Sequence, residues 1–164
     1  MRIVLVPGVP ALLPSYASIE DPVADLRAAC HHAVAELGPR VRVLASSPLG
    51  ERVARHLLGA AGAEESEADP TGALVVANGS AKRTVKAPGH LDERAEAFDD
   101  DLRRALVQPL PAGLAGIDVD LAAELWADVG AMPALAELLT PGTTAEVDYD
   151  DAPYGVQYWV IRWS

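Results

Sequence analysis

Residues 73–92 read ALVVANGSAKRTVKAPGHLD, and this stretch gives the strongest indication of both the fold and a site. Its first five residues are small or branched and apolar, which is typical of a short buried β-strand. Lys82, Arg83 and Lys86 follow within five residues of one another. Because α/β proteins usually bind ligands where their strands end, the sequence predicts a binding site in residues 78–92.

Strand-like and helix-like stretches alternate on both sides of this segment. Apolar runs stopped by glycine or proline predict strands, and apolar residues at three- and four-residue spacing predict helices. The predicted strands are 2–6, 41–45, 74–77, 145–149 and 156–163, and the predicted helices are 21–37, 49–61, 92–107, 118–127 and 133–139. Such alternation indicates right-handed βαβ units. We therefore predict an α/β fold, with residues 1–164 forming a single three-layer domain whose mostly parallel central sheet is flanked by helices.

The composition limits the classes of partner. The chain has 24 acidic and 13 basic residues, a formal net charge of −11, and only 5% aromatic residues. Nucleic-acid binding and adhesion to anionic membranes both depend on clustered cations, so neither partner is expected. The core must consist mainly of alanine, valine and leucine.

The pattern of cysteine and apolar residues favours a cytoplasmic protein. Cys30 is the one cysteine, so no intrachain disulfide can form. No cationic leader with a long apolar segment precedes residue 2, and the early apolar run is far shorter than the roughly 20 residues that span a bilayer.

Standard catalytic signatures are missing from the sequence. It has no phosphate-binding glycine loop, no dinucleotide fingerprint and no Gly-x-Ser-x-Gly elbow. Adjacent His31 and His32 would point about 100° apart on a helix, so they cannot both ligate one metal. The acidic run Asp99-Asp100-Asp101 is predicted to be a solvated helix face, because consecutive carboxylates spread around the helix axis.

The 78–92 loop is the best remaining candidate. Free backbone amides and cations at a strand end can hold an anionic group through charge-assisted hydrogen bonds. An alternative interpretation pairs the same cations with surface carboxylates such as Asp92, Glu93 and Glu96, and both interpretations stay open. The predicted ligand-binding residues are Asn78, Ser80, Lys82, Arg83, Lys86, His90 and Tyr154.

Three parts of the sequence resemble a known superfamily. They are residues 74–83, continued by Ala87-Pro88-Gly89-His90-Leu91-Asp92 and Phe98-Asp99, then residues 150–158, and the proline-containing turn within residues 4–13. These motifs are similar to the class III extradiol ring-cleaving dioxygenases of LigB-like type, and the closing motif resembles an actinobacterial branch of them.

Membership would imply an α/β fold and a non-haem iron(II) ion held by two histidines and a carboxylate, with a further histidine as acid and base. The sequence departs from that pattern. Ala81 stands where the catalytic histidine is expected, and residues 7–10 contain no histidine. The connection before Leu49 is too short for the second ligand. Glu146 could take the carboxylate position, but a lone carboxylate does not hold iron.

We therefore expect a shortened relative without ring-cleaving activity, no cofactor, and a small-molecule ligand that is anionic. Iron(II) is expected only if the family chemistry survives. Two alternatives remain. One is an enzyme with relocated chemistry that uses His90, Asp92 and Tyr154 as acid and base groups. The other is an interaction module that self-associates through the edge of the strand carrying Trp159 and Trp163.

Overall fold

The computed structural model describes residues 1–14 and 21–164, and within them one six-stranded sheet. The strands are β1 (Arg2–Val6), β2 (Arg40–Leu44), β3 (Glu64–Glu65), β4 (Gly72–Val76), β5 (Ala145–Asp151) and β6 (Tyr158–Trp163). The helices are α1 (Ala24–Ala35), α2 (Pro48–Ala61), α3 (Ala95–Val107), α4 (Pro111–Ala115), α5 (Val119–Glu124) and α6 (Met132–Leu138). Pro10–Leu12 and Pro153–Gly155 form single 3₁₀ turns. In these two ranges, no helix combines the length and the apolar character that a membrane crossing requires.

The sheet has the order β3-β2-β4-β1-β6-β5. Parallel pairing joins β3, β2, β4 and β1, whereas β6 runs antiparallel to both β1 and β5. The prediction of a mostly parallel sheet is confirmed. The carboxyl ends of β1, β2 and β4 consequently meet at one edge of the sheet, where the 78–92 loop begins.

Helices cover both faces of the sheet. Side chains alternate between faces along a strand, so Val4 and Val6 point to one side of β1 and Ile3 and Leu5 to the other. The first pair packs in a core with α1 and α2, and the second in a core with α3, α4, α5 and α6. This arrangement confirms the predicted three-layer α/β domain.

Local hydrogen bonds account for the starts of α2 and α3. Helix α2 begins at Pro48 because the Ser47 hydroxyl accepts a hydrogen bond from the amide of Gly50 and proline suits the first helical position. Helix α3 begins three residues later than predicted. Asp92 and Arg94 form a turn in which the Asp92 carboxylate accepts from the Arg94 amide, and the helix starts after that turn.

The position of β6 corrects one prediction. One alternative expected an exposed edge along the strand that carries Trp159 and Trp163, and the structure shows a buried strand. Strand β6 lies between β1 and β5, so it has no free edge. Trp159 and Trp163 are buried, and the Trp163 indole donates to the carbonyl of Leu106. The hypothesis of self-association through an edge carrying these tryptophans is therefore wrong about the edge. Self-association by another surface stays a prediction.

Candidate functional site

The 78–92 loop leaves the sheet next to the exit of β1. The amide of Ala77 donates to the carbonyl of Val6, which ties the two strand ends together. Asn78 and Asp128 then exchange two backbone hydrogen bonds of 3.0 Å, and the Asp128 carboxylate accepts from the Ser46 hydroxyl at 2.6 Å. The beginning of the loop is thus connected to β1, to the residues after β2 and to the segment after α5.

Inside the loop, Ser80 binds a buried carboxylate. Its amide donates to one oxygen of Asp99 at 2.8 Å, and its hydroxyl donates to the other at 2.6 Å. Ser80 is fully buried and Asp99 is 1% exposed. Burial raises the pKa of Asp99, while the hydrogen bonds from Ser80 and the nearby Arg83 act in the opposite direction and offset part of that rise. The prediction that Asp99 belongs to a solvated face is wrong, although Asp100 and Asp101 are exposed.

Arg83 extends this network toward β6. One guanidinium nitrogen lies 3.3 Å from the Asp99 carboxylate and 3.1 Å from the side-chain oxygen of Gln157. The Gln157 amide nitrogen in turn donates to the Asp150 carboxylate at 3.0 Å. Arg83 also lies 3.9 Å from Glu96. The Arg83 charge is therefore mainly used inside the protein. The carboxylate-pairing interpretation named surface carboxylates, of which Glu96 is within ion-pair distance of Arg83, whereas the shorter contact is with buried Asp99.

The backbone fastens the loop to the same C-terminal segment. Gly79 donates to the carbonyl of Gln157, Gln157 donates to that of Ser80, and Arg83 donates to that of Gly155. Gly155 has a φ of +77°, and a Cβ there would lie 2.5 Å from the Cβ of Ala87. Only glycine accommodates both the left-handed backbone and this close approach. The loop and residues 155–157 thus form one folded unit.

The outer side of the unit carries cations and exposed aromatic rings. The Lys82 ammonium lies 5.4 Å from the ring centre of Trp126, within range of a cation–π interaction. Trp126 is 56% exposed and Tyr154 is 63% exposed. Lys86 and His90 are exposed as well. We call this surface, made of Lys82, Lys86, His90, Trp126 and Tyr154, the loop face.

Three residues of the loop face have a left-handed backbone. The φ angles are +61° at His90, +59° at Trp126 and +59° at Tyr154. A bulky residue in this conformation carries steric strain of about 1–2 kcal/mol. Within the two described ranges, Asp69 is the remaining non-glycine residue with a positive φ. Strained residues of this kind cluster at ligand-binding and catalytic sites, so three of them together make the loop face a candidate binding surface.

Trp126 occupies a position where helices commonly place glycine. The amide of Trp126 donates to the carbonyl of Ala123, and the amide of Ala127 donates to that of Ala122. This pair of bonds after the last turn of α5 is a Schellman motif, whose left-handed residue is usually glycine. The chain instead presents an exposed indole there, next to Lys82.

The predicted site residues therefore fall into two groups. Ser80 and Arg83 point into the protein and hold the loop, and half-buried Asn78 is tied to Asp128. Lys82, Lys86, His90 and Tyr154 lie on the loop face. The structure brings all seven into one unit.

The alternative acid–base set gains no support from Asp92. Hydrogen bonds from Arg94 lower the pKa of Asp92 to about 2. A general base functions best with a pKa near the working pH, so a carboxylate that stays ionised so far below neutrality is poorly suited to proton transfer.

The residues present do not fit an iron centre. Ala81 is buried and supplies no ligand atom. A Cβ on Gly8 would lie 2.8 Å from the Val76 side chain, so the turn after β1 is tightly packed. Glu146 lies on β5, separated from β4 by two strands, and pairs with Arg162 at 2.7 Å. Across residues 1–14 and 21–164, no group of three or more histidine, cysteine or acidic residues is arranged to hold a metal ion.

Sequence reasoning missed Asp99, Gln157, Trp126 and the Ser46–Asp128 pair. The burial of Asp99 could have been predicted, because this residue continues the helical spacing of the buried residues Ala95, Leu102 and Leu106. The other residues depend on contacts between distant segments, which local patterns do not reveal.

No protein-family model matches the chain, and no curated protein matches it. The resemblance to the extradiol dioxygenases stays a prediction from the three quoted motifs.

Proposed function

We propose that this protein is a ligand-binding domain without ring-cleaving activity, which holds a small anionic molecule on the loop face. On this proposal it is cytoplasmic and needs no metal. The proposed ancestry is a LigB-like scaffold whose catalytic histidine position is now Ala81. The function does not depend on that ancestry, because it rests on the arrangement of the loop.

The observation that carries the proposal is the exposed Trp126 indole at a strained helix end, with Lys82 above it. Glycine would satisfy the same backbone position with less strain. Retaining a strained, exposed aromatic residue is typical of a functional position, where local stability is lower than it could be.

The chemistry of the loop face favours an anion. Lys82 and Lys86 are the two lysines of the chain, and both stand on this surface of a protein with a net charge of −11. The Lys82 charge lies beside the exposed Trp126 ring, on which a planar group can stack. The buried Ser80–Asp99–Arg83–Gln157 network holds the loop in place beneath them, so little ordering is needed on binding. We expect a small carboxylate or phosphate carrying an apolar or planar group.

The test is thermal stabilisation by benzoate, citrate and inorganic phosphate, with the metal content of the same sample measured. We expect at least one of the three anions to raise the melting temperature of the wild type. The double variant Lys82→Gln and Lys86→Gln should lose that response, because the charges that attract the anion are gone. The matched control is Arg52→Gln with Arg55→Gln on α2, which removes the same charge elsewhere and should keep the response.

Trp126→Gly separates binding from stability. It should lose the response to the anion while keeping or raising the melting temperature, since glycine relieves the left-handed strain. The proposal is wrong if none of the three anions stabilises the wild type, or if the control pair and the lysine pair behave alike. Stoichiometric iron in the purified protein would contradict the metal-free function.

A further inference from the structure

A second candidate site lies on the outer helical layer, apart from the loop face. Helices α3, α4 and α5 enclose a groove of about 500 Å³. Ligand pockets in proteins commonly have volumes of roughly 300–1,000 Å³. The groove is lined mostly by apolar side chains, which include Phe98, Leu102, Ala105, Leu110, Ile117 and Leu121.

The local sequence keeps this groove open. Gly113 and Gly116 contribute no side chain to its wall, and a Cβ on Gly113 would lie 3.1 Å from the Cβ of Ala105. Phe98, the single phenylalanine of the chain, is only partly buried against the core, and Leu110 is 42% exposed. Apolar surface therefore remains in contact with solvent, and a ligand that covers it gains hydrophobic free energy.

The charges at the rim favour an anionic head group. Arg104 lies at the groove, and of the residues in the described ranges Asp101 is the one within ion-pair distance, at 2.9 Å. The two side chains are 58% and 74% exposed, so this ion pair is weak and exchangeable. A guanidinium has five N–H donors, and most of those of Arg104 are therefore free for a ligand carboxylate.

The other rim charges are already engaged. Arg94 pairs with Asp92 and Glu124, both at 2.8 Å. Asp118 caps α5 by accepting from the amide of Leu121. A cationic ligand would compete with Arg104 for the Asp101 carboxylate and with the Leu121 amide for that of Asp118, whereas a carboxylate can use the spare donors of Arg104 without such competition.

We infer that this groove binds a small apolar carboxylic acid, with its hydrocarbon body against Phe98 and Ile117 and its carboxylate at Arg104. The site differs from the loop face in its residues and in its ligand, which must be amphipathic and largely apolar. Its existence does not depend on the function proposed for the loop.

The experiment titrates three probes that share one body and differ in the charge of the head group: phenylbutyrate, phenylbutanol and phenylbutylamine. Binding is followed by amide chemical shifts of the ¹⁵N-labelled full chain at low ionic strength. We expect phenylbutyrate to shift amides of α3, α4 and α5. It should bind about tenfold more tightly than phenylbutanol, because one charge-assisted hydrogen bond is added. Phenylbutylamine should bind most weakly.

Two variants localise the site. Arg104→Gln should bring the affinity for phenylbutyrate down to that for phenylbutanol, and Arg55→Gln is its control, since Arg55 forms a comparably exposed ion pair with Glu51 on α2. Ala97→Phe places a ring in the groove from an exposed helix position and should weaken all three probes. Ala28→Phe on α1 is the control for adding an exposed ring.

Equal affinities for the three probes, measured from the amides of α3, α4 and α5, or the absence of shifts in those helices, would overturn the inference. So would a concentration-dependent dimer that Ala97→Phe abolishes and no probe displaces, because a second copy would then be the occupant. Lys82→Gln with Lys86→Gln should leave phenylbutyrate binding at the groove unchanged, so failure of this site and failure of the loop face can be told apart.

Discussion

Ser80 donates two hydrogen bonds to the buried carboxylate of Asp99, one from its amide and one from its hydroxyl, and each reaches a different oxygen. The pair joins the start of the 78–92 loop to the middle of α3. Because both residues are buried, neither can exchange its partner for water, and the interaction decides where the loop lies.

Replacing Ser80 should test how much this junction contributes. Ser80→Ala keeps the amide bond but removes the hydroxyl donor, which leaves one oxygen of Asp99 with only the more distant Arg83. We expect the free energy of unfolding in urea to fall by about 1–3 kcal/mol. Ser66→Ala is the control, because the Ser66 hydroxyl bonds the Ala68 carbonyl at an exposed site and its loss should have little effect. Equal losses in the two variants would contradict the assigned role.

The raised pKa of Asp99 predicts a particular dependence of stability on pH. Between the unfolded pKa, about 4, and the higher folded pKa, the native state binds more protons than the unfolded state. The stability contributed by Asp99 therefore falls as the pH rises through that window. We expect the free energy of unfolding of the wild type, measured relative to Asp99→Asn, to decrease from about pH 4 upward. An increase would mean that attraction to Arg83 outweighs the cost of burial.

Gly79 is expected to tolerate no side chain. A Cβ there would lie 2.6 Å from the Asp99 carboxylate and 2.8 Å from the Cβ of Gln157. Gly79→Ala should therefore destabilise the protein by about 1–3 kcal/mol in urea unfolding. Gly59→Ala on α2 provides the comparison, since nothing lies within 4 Å of its Cβ position. That change should stabilise the protein by about 0.5–1 kcal/mol, because alanine is the better helix former. A shared sign for the two changes would count against this packing.

Cys30 should be chemically inert in the folded protein. Burial raises the pKa of its thiol to about 12, so almost no thiolate exists near neutral pH. At about pH 8 we expect Ellman's reagent to label the folded protein only at the rate of unfolding, and to label the protein in urea at once. Fast labelling without denaturant would show that the core between α1 and the sheet opens locally.

Local patterns were sufficient for most of the framework. The apolar run of β4 and the helical spacing in α2 and α3 each depend on neighbouring residues, and the fold class followed from the alternation of such runs. The place of β6 in the sheet could not be predicted from local patterns. Its antiparallel pairing with β1 is set by contacts across the whole chain, and an alternating apolar strand looks the same at an edge as in the interior.

The candidate site shows the same division. The position of the loop was predictable, because strand ends in α/β proteins gather at one edge. Which side chains of the loop point inward was not predictable, since it depends on Asp99 of α3 and on Gln157, which lies just before β6. Three adjacent aspartates looked uniformly polar, yet the packing of α3 turned one of them toward Ser80.

The attachment of the loop to Gly155 and Gln157 also determines when it can form. Arg83 cannot form its hydrogen bond to Gln157 until that residue, 74 positions later in the chain, has been synthesised. Ribosomes add about 5–20 residues per second, so the loop stays without its anchor for several seconds after its own synthesis. During that interval Asp99 can remain hydrated, and Lys82 and Lys86 are not yet held in their final positions. If the proposed function holds, the newly made protein can bind its ligand only after the β5–β6 hairpin has emerged and β6 has paired with β1.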